Sequence, residues 1–449
     1  MLQPPPRSRP PGPRGIPLLG HSWSFARNPL DFLTRVAREY GDVALLSLGG
    51  NDVYFVSHPD LVREVLTVQR AKFDISAIRS RLEIVLGTGL VTSRGEMHAK
   101  QRRLMQPVFR KSRIESHAPL MSAYAERQCE RWQSGAEIDV SAQMMELTMK
   151  VAAKTLFDHE VTGDSDAFLL NLTTAVEFYN GIMSPFLRLS LKLPLPSTLR
   201  FRKAVRELDQ VIYGMIEQRR KHPSDRGDLL TLLMAAKDDE TNVYMNERQL
   251  RDEVMTLFTA GQETMANVLG WTLYLLSRHP EAQARLHAEI IAALAGRARL
   301  DAGDTGRLPY ARQVLLEVFR LYPPVWLAGR STLSEVHLGQ YDVPAGTYVL
   351  MSEYVAHRDA RFFEDPESFR PGRWTESFMK SLHHGAYFPF GAGERHCIGE
   401  GFAWLEALLA LSTFVARWRF ELAPGPDVRP GTSIMLRPSS RIRARVHAR

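Results

Sequence analysis

Cys397 has the surroundings of a reactive cysteine. It lies in the segment Phe390-Gly-Ala-Gly-Glu-Arg-His-Cys-Ile-Gly399, which holds three glycines and places Arg395 two residues before the thiol. A helical pattern begins just after it, and the free N–H groups of a helix N-terminus favour a thiolate. The glycines allow a flat ligand to approach the backbone, and Arg395 could bind an anionic group on that ligand. A thiolate in this setting suits an axial ligand to iron.

The alternative for a lone cysteine is a small buried hydrophobic residue. We assign Cys129 to that class, because its helical segment offers no supporting residues. A cysteine-protease site at Cys397 would need a histidine and an asparagine or aspartate partner, and the adjacent His396 points elsewhere. The chain has only two cysteines, so disulfides do not hold this fold, and a reducing, cytoplasmic location is expected.

The segment Ala260-Gly-Gln-Glu-Thr264 places a second chemically capable group inside a long helical pattern. Its glycine weakens the helix by about 1 kcal/mol relative to alanine. The Thr264 hydroxyl can bond a carbonyl of the preceding turn and open the helix locally. We expect that opening to leave a groove on one face of the helix. A helix–helix contact is the alternative for Gly261, but it leaves the Glu263–Thr264 pair unexplained.

Polar pairs at helical spacing could bind one another or an anionic ligand. Glu317 and Arg320 share one helix face, although such pairs are usually solvated. His98 and Arg102 are four residues apart and also share a face. Both side chains are hydrogen-bond donors that could bind a carboxylate.

Mostly helical elements must position these groups. The pattern predicts a β-hairpin of strands 43–48 and 53–56 near the start of the chain. Asn246, three residues before Gln249, predicts the N-cap of a helix that runs to about Ser277. A last helix is predicted over 398–416. The predicted fold class is mainly α with a minor β region.

The composition is that of an ordinary globular chain of 449 residues, with 44% hydrophobic residues and a net charge of +7. Two segments, Arg94–Arg113 and Val428–Arg449, each carry a net charge of +6. No nucleic-acid motif accompanies them, so no nucleic-acid partner is expected. No apolar run reaches the length of about 20 residues that a bilayer span needs, so no membrane anchor is expected. Residues 1–19 are proline-rich and predicted to be extended, and residues 20–449 are predicted to form one domain.

The segment at Cys397 resembles the haem-binding loop of the cytochrome P450 superfamily. All five anchors of the pattern F-x-x-G-x-R-x-C-x-G are present, and three further family motifs occur in the expected order. The resemblance implies a single cytochrome P450-type domain that holds the iron of haem b through Cys397. It implies further haem contacts at His98, Arg102, Ala260, Arg330, Phe390, Gly391 and Arg395. It also implies that Glu317, Arg320 and Arg373 hold the cysteine loop, although Gly372 replaces the family's usual glutamate before that arginine.

A haem-thiolate monooxygenase of the soluble bacterial type is the function that the resemblance implies. Such an enzyme inserts one oxygen atom of dioxygen into a C–H bond, with Thr264 and Glu263 in the delivery of protons. Electrons would come from a ferredoxin or similar acidic protein with its reductase, and a monomer is expected. The alternatives are a peroxygenase, dehydratase or isomerase of the same fold, a thiol-dependent hydrolase, and a non-catalytic haem sensor. Peroxide-using relatives usually lose the acid–threonine pair, which this chain keeps.

The substrate is expected to be lipophilic, either a terpenoid or a fatty-acid-like compound, because the segments that face the distal pocket in this family are apolar here. Many of these residues could equally be core, and Arg79 and Arg81 leave an acidic substrate open. The predicted pocket residues are Val85, Leu86, Leu90, Phe178, Ile182, Leu257, Val325, Trp326 and Met435.

Overall fold

Helices dominate the computed structural model, which describes residues 9–75, 82–160, 170–171, 174–175, 178, 191–222, 228–237 and 242–449. The predicted fold class is therefore confirmed. The α-helices are Ser22–Arg27, Pro29–Tyr40, Pro59–Arg63, Gly95–Met105, Lys111–Ser116, Ala118–Glu130, Val140–Phe157, Pro196–Lys221, Leu229–Ala235, Glu247–Arg278, Pro280–Leu294, Pro309–Leu321, Glu353–Ala356, Glu376–Ser381 and Glu400–Arg417. A π-helical turn spans Glu64–Val68, and 3-10 turns span Arg70–Lys72, Gln106–Phe109, Ala302–Arg307, Pro371–Arg373 and Gly393–Arg395.

Twelve short strands accompany the helices in the described part of the chain. They are β1 (Val43–Leu48), β2 (Asn51–Val56), β3 (Phe73–Asp74), β4 (Glu137–Asp139), β5 (Ala328–Thr332), β6 (Val336–Leu338), β7 (Tyr341–Val343), β8 (Tyr348–Met351), β9 (Trp418–Leu422), β10 (Pro430–Thr432), β11 (Leu436–Pro438) and β12 (Arg443–Ala448).

Contacts divide the chain into two units. The first unit comprises Met1–Ser80 and Leu316–Cys397, and the second unit comprises Arg81–Leu315 and Ile398–Arg449. The cysteine loop belongs to the first unit, and the segment with Glu263 and Thr264 belongs to the second. The domain boundary predicted at residue 20 stays a prediction.

A five-stranded sheet in the order β1-β2-β8-β5-β3 forms the centre of the first unit. β2 and β8 run parallel, and the other neighbours are antiparallel. Buried residues of the sheet, including Val43, Val56 and Val349, pack with Val65 and Leu66 of the π-helical turn into one apolar core. That core holds the π-helical turn in place, and the cysteine loop contacts this turn at Leu66.

The hairpin of the first unit has a tighter turn than the sequence predicts. β2 begins at Asn51 rather than at 53, because Leu48 pairs directly with Asn51. Gly49 and Gly50 form the turn, with φ angles of 59° and 79°. Both angles are positive, as a two-residue turn between right-twisted strands requires, and glycine adopts them without a Cβ penalty.

The long helix Glu247–Arg278 is the central element of the second unit. The Asn246 side chain caps it by accepting a hydrogen bond from the Gln249 N–H at 2.9 Å, as predicted. The helix packs against Val140–Phe157, and the C-terminal helix Glu400–Arg417 packs against Ala118–Glu130. Apolar residues are buried on every face of the central helix, which holds its polar residues in fixed positions. Within the described ranges, no helix combines the length and the apolar composition that a bilayer crossing requires.

Candidate functional site

The backbone of the cysteine loop folds back on itself in the first unit. The Cys397 N–H donates to the Phe390 carbonyl at 2.9 Å, and the Gly391 N–H donates to the Phe388 carbonyl at 2.8 Å. Neither cysteine forms a disulfide, and Cys397 is exposed whereas Cys129 is buried. Burial raises the pKa of the Cys129 thiol to about 12, which makes it inert, as predicted. The accessible thiol of the chain is therefore the one held by the loop.

Two glycines of this loop are required for different physical reasons. Gly393 has a φ angle of 66°, and a Cβ there would lie 2.2 Å from the Leu66 carbonyl oxygen. Gly391 has a φ angle of 70°, but a Cβ there would meet only the Arg395 carbonyl oxygen, at 3.7 Å, among the described residues. Gly393 therefore allows the loop to contact the π-helical turn. Gly391 leaves the backbone open to a close ligand.

A single buried carboxylate organises the segments around the loop. Glu317 accepts two hydrogen bonds from the Arg320 guanidinium, both at 2.9 Å. It also accepts one from Arg373 Nε at 3.0 Å, one from Trp374 Nε1 at 2.9 Å and one from the Arg370 backbone N–H at 2.9 Å. Glu317 and Arg320 are fully buried, so the solvated-pair alternative is wrong for this pair. Gly372 does not prevent Arg373 from reaching the carboxylate.

His357 connects that cluster to the cysteine loop, and no motif or spacing in the sequence singles it out. The Arg320 Nη1 donates to the His357 carbonyl at 3.0 Å, and the His357 Nε2 accepts from the Phe388 N–H at 2.9 Å. Burial lowers the pKa of the imidazole to about 3, so the ring stays neutral and can accept that hydrogen bond. The Phe319 ring also lies 4.9 Å from the Phe390 ring, centroid to centroid. The Glu317 cluster thus positions the start of the loop through both a polar and an aromatic contact.

Arg330 lies on β5 beside a second buried acid. Its Nη1 donates to the Gly329 carbonyl at 2.9 Å. Burial lowers the pKa of Arg330, while the charges of Glu353 and Asp74 act in the opposite direction. Burial also raises the pKa of Glu353 to about 8, so this carboxyl holds its proton at neutral pH. A protonated Glu353 does not neutralise the charge of Arg330. An anionic group on a ligand would find a partly desolvated cation here.

In the second unit, His98 and Arg102 share one face of the helix Gly95–Met105, as their spacing predicts. His98 is buried, and Arg102 is half-buried. Both side chains can donate hydrogen bonds to a carboxylate.

The central helix is continuous through its Gly–Thr segment. The Thr264 Oγ1 donates to the Ala260 carbonyl at 2.7 Å, as predicted. The expected local opening is absent from this described helix, because the hydroxyl bonds the carbonyl within the helical geometry. A Cβ at Gly261 would meet none of the described atoms within 4 Å apart from the helix's own backbone, so no described helix packs closely against this glycine. The open space at Gly261 therefore does not depend on a break in the helix.

Glu263 is buried next to that threonine. Burial raises the pKa of its carboxyl, and the charge of Arg437 opposes the shift. A carboxyl with a raised pKa holds a proton closer to neutral pH than an exposed glutamate does.

Two further acids of the central helix hold the loop that contains Leu90, and the sequence analysis missed both. The Thr88 N–H donates to Asp252 Oδ2 at 2.8 Å, and the Leu90 N–H donates to Glu253 Oε2 at 2.9 Å. Gly87 has a φ angle of 60°, and a Cβ there would lie 2.1 Å from Asp252 Oδ1. The sequence could have indicated them, because acidic residues among the buried apolar positions of a helix need hydrogen-bond partners.

The predicted pocket residues differ in exposure. Val85, Leu86, Leu90 and Leu257 are buried in the second unit, and Trp326 is buried in the first. Phe178 is half-buried and stacks on Phe201 with a centroid distance of 4.1 Å. Met435 is half-buried, Val325 is 38% exposed, and Ile182, Arg79 and Arg81 lie outside the described residues. Trp326 stacks on Phe25, which is a contact within the first unit.

A family model described as Cytochrome P450 matches residues 10–444. The chain belongs to the cytochrome P450 family. As a P450 it is a haem-dependent monooxygenase, and the thiol-dependent hydrolase alternative is wrong. These residues fit a haem. The exposed Cys397 thiol could bind the iron, and the open backbone at Gly391 leaves room for the flat ring. The partly desolvated Arg330 could bind a haem carboxylate.

Similar curated P450s include three enzymes from Streptomyces. Cyclooctatin synthase of Streptomyces melanosporofaciens is 40% identical over 94% of this chain and 92% of its own length. Cyclooctat-9-en-7-ol 5-monooxygenase of the same organism is 38% identical over 92% and 90%. Pentalenene oxygenase of Streptomyces avermitilis is 34% identical over 97% of each chain. The crystal structure of the cytochrome P450DA heme domain superposes with a TM-score of 0.90 at 25% identity and covers 99% of both chains.

Proposed function

We propose that this P450 inserts one oxygen atom of dioxygen into a C–H bond of a terpenoid. The observation that carries the substrate class is the similarity, over nearly the whole chain, to oxygenases named for cyclooctat-9-en-7-ol and pentalenene. The buried apolar residues Val85, Leu86 and Leu257 support a site for a lipophilic compound. None of the three Streptomyces relatives described above is named for a fatty-acid-like substrate.

Haem b, when bound through the Cys397 thiolate, supplies the activation of dioxygen, which a thiolate ligand favours. The residues proposed to hold its carboxylates and ring are His98, Arg102, Arg330, Arg395, Phe390, Gly391 and Ala260. Arginine suits carboxylates because its planar fork can donate two parallel hydrogen bonds. Glu317, Arg320 and Arg373 fix the loop that presents the thiolate.

Thr264 and Glu263 are proposed to deliver protons. The Thr264 hydroxyl hydrogen is directed to the Ala260 carbonyl, which leaves the Oγ1 lone pairs free to accept a hydrogen bond from outside the helix. Glu263 has a raised pKa and can hold the proton that moves next. The family alternatives of dehydratase, isomerase and peroxygenase have no specific support in these residues, since the acid–threonine pair serves dioxygen use.

Substrate binding and oxygen transfer test the proposal directly. Cyclooctat-9-en-7-ol and pentalenene should each shift the ferric spin state at micromolar concentration, whereas dodecanoic acid should not. With reductant and ¹⁸O₂, the terpenoid product should carry one labelled oxygen atom. A spin shift with dodecanoic acid alone would contradict the substrate class, and a product without label would contradict the reaction.

The electron donor is proposed to be a ferredoxin or similar acidic protein, with its reductase, that docks on the basic segment Arg94–Arg113. Arg110 and Lys111 are exposed, whereas Lys100 and Arg103 are half-buried, so the first two are better placed to attract a partner. Exposed charges speed encounter, and salt screens them over about 8 Å at physiological ionic strength. The enzyme is further proposed to act as a monomer in the cytoplasm.

Reduction kinetics test this docking surface. Reduction by an acidic ferredoxin should slow as salt rises, and Arg110→Glu should slow it further without changing substrate binding. Arg200→Glu is the matched control, because Arg200 is also an exposed arginine of the second unit. Equal slowing in both variants would place the docking surface elsewhere.

A further inference from the structure

Four large apolar side chains near the start of the described chain are exposed to solvent. Leu18 is fully exposed, Trp23 is 61% exposed, Leu19 is 56% exposed and Ile16 is 47% exposed. We refer to these four residues as the N-terminal patch. Exposed apolar side chains are ordinary when they are scattered singly, but a cluster of them marks an interaction site.

A tight backbone turn holds the leucines outward. The Ile16 N–H donates to the Gly20 carbonyl at 2.9 Å, and the Gly20 N–H donates to the Ile16 carbonyl at 2.8 Å. Leu18 lies between them with a φ angle of 65°. A leucine adopts this left-handed conformation only at an energetic cost, so the surrounding turn imposes it. Leu18 and Leu19 therefore project as a fixed tip.

β1 anchors the base of that tip. The His21 N–H donates to the Ser47 carbonyl at 2.7 Å, and the His21 Nδ1 accepts from the Ser47 N–H at 2.8 Å. The His21 Nε2 lies 3.0 Å from the Pro13 carbonyl oxygen. A Cβ at Gly20 would lie 2.5 Å from the Ser47 carbonyl oxygen, so glycine is required there. The patch is thus preorganised on the sheet of the first unit.

The charge around the patch favours an anionic partner. Residues 10–29 contain Arg14 and Arg27 and no aspartate or glutamate, and both arginines are exposed. A protruding apolar tip can insert into a deformable lipid layer, whereas a protein partner would need a matching pocket. Tryptophan beside such a tip is typical of the lipid–water interface, and exposed arginines bind lipid phosphates.

We propose that the N-terminal patch docks the enzyme on the surface of an anionic lipid bilayer. Ile16, Leu18 and Leu19 insert below the headgroups, Trp23 lies at headgroup level, and the two flanking arginines contact lipid phosphates. The contact is peripheral and needs no spanning helix. It would bring an enzyme whose proposed substrates are lipophilic to the bilayer, where such compounds accumulate.

Vesicle co-sedimentation tests the surface on the full chain. The protein should sediment with vesicles of equal parts phosphatidylglycerol and phosphatidylcholine, and much less with phosphatidylcholine alone. The double variant Leu18→Ser, Leu19→Ser should weaken binding by at least about tenfold, since each inserted leucine contributes substantially to transfer out of water. Arg14→Gln and Arg27→Gln should each weaken it by about fivefold on the anionic vesicles only.

Leu333→Ser is the matched control, because Leu333 is 61% exposed in the first unit and lies outside the patch. It should bind vesicles like the unchanged protein. Absence of sedimentation with anionic vesicles, or equal weakening by Leu333→Ser, overturns the proposal. So does a patch variant that changes self-association in sedimentation velocity and leaves vesicle binding unchanged. Vesicle binding is measured without turnover, so this surface can fail while the terpenoid assignment holds.

Discussion

Glu317→Gln will destabilise the chain although glutamine has nearly the same shape as glutamate. The carboxylate accepts five N–H groups, three of them from the side chains of Arg320 and Arg373. The side chains of Glu317 and Arg320 are 0% exposed, and that of Arg373 is 6% exposed. Removing the anion therefore leaves two desolvated guanidinium groups without their shared counter-charge.

Breaking a buried ion pair by removing one partner costs about 3–5 kcal/mol. The amide adds a second penalty, because its NH₂ group replaces an acceptor and faces donors. We therefore expect a loss at the upper end of that range, which is a large share of a total stability of about 5–15 kcal/mol. Haem retention should fall as well, because Arg320 also holds His357 and thereby the start of the cysteine loop.

Urea unfolding followed by tryptophan fluorescence measures the loss, and the ferrous–CO spectrum of the same samples reports the thiolate. Glu376→Gln is the matched control, since Glu376 pairs with Lys380 at 2.6 Å with side chains 79% and 75% exposed. That exposed pair should contribute no more than about 0.5 kcal/mol. If the free energy of unfolding of Glu317→Gln lies within about 0.5 kcal/mol of that of the control, the reasoning that one carboxylate organises these segments is refuted.

Three further outcomes are expected. Cys397→Ser should abolish the thiolate-type ferrous–CO band while Cys129→Ser preserves it, because only Cys397 is exposed, and a preserved band in the Cys397 variant would remove it as the iron ligand. Thr264→Ala should keep substrate binding but lower the ratio of product to reductant and raise peroxide, whereas Thr272→Ala, whose hydroxyl bonds the Val268 carbonyl at 2.7 Å, should leave the ratio unchanged. Burial raises the pKa of Glu406 from 4.5 to about 8, so the folded chain binds a proton that the unfolded chain releases between those values. Stability should therefore fall as pH rises through that window by up to about 1.4 kcal/mol per unit, and Glu406→Gln should match the unchanged protein at pH 5 and exceed it at pH 9 in urea midpoint.

Local patterns predicted the elements well, because their causes lie within a few residues. The Asn246 cap and the 3.6-residue period placed the central helix to within one residue at its end, and the motif at Cys397 placed the loop. The turn at Gly49-Gly50 was predicted two residues too long, since the pairing of Leu48 with Asn51 is decided by two glycines with positive φ. Such an error arises from a choice among turn types that the flanking apolar pattern leaves open.

Contacts between distant segments were beyond the sequence. Gly393 is needed because the Leu66 carbonyl, some 330 residues earlier, approaches its Cα. His357 is a link between Arg320 and Phe388 only because three segments meet in the fold. No spacing rule connects these positions. The sequence therefore predicted the Glu317–Arg320 pair and the cysteine loop, but not His357, which connects them.

Buried carboxyls show how the same residue type takes different roles in this chain. Glu317 accepts five N–H groups, and an ionised carboxylate, which is acceptor-only, is the form that can satisfy them all. Glu253 accepts one N–H from Leu90, and burial raises its pKa to about 8, so it remains protonated at neutral pH. The donors that surround a buried acid therefore decide whether it fixes a cluster as an anion or remains a neutral group that can hold a proton. Glu263 is also buried with a raised pKa and lies next to Thr264 in the chain, and these two features are the reason we propose it, rather than Glu317, for proton delivery.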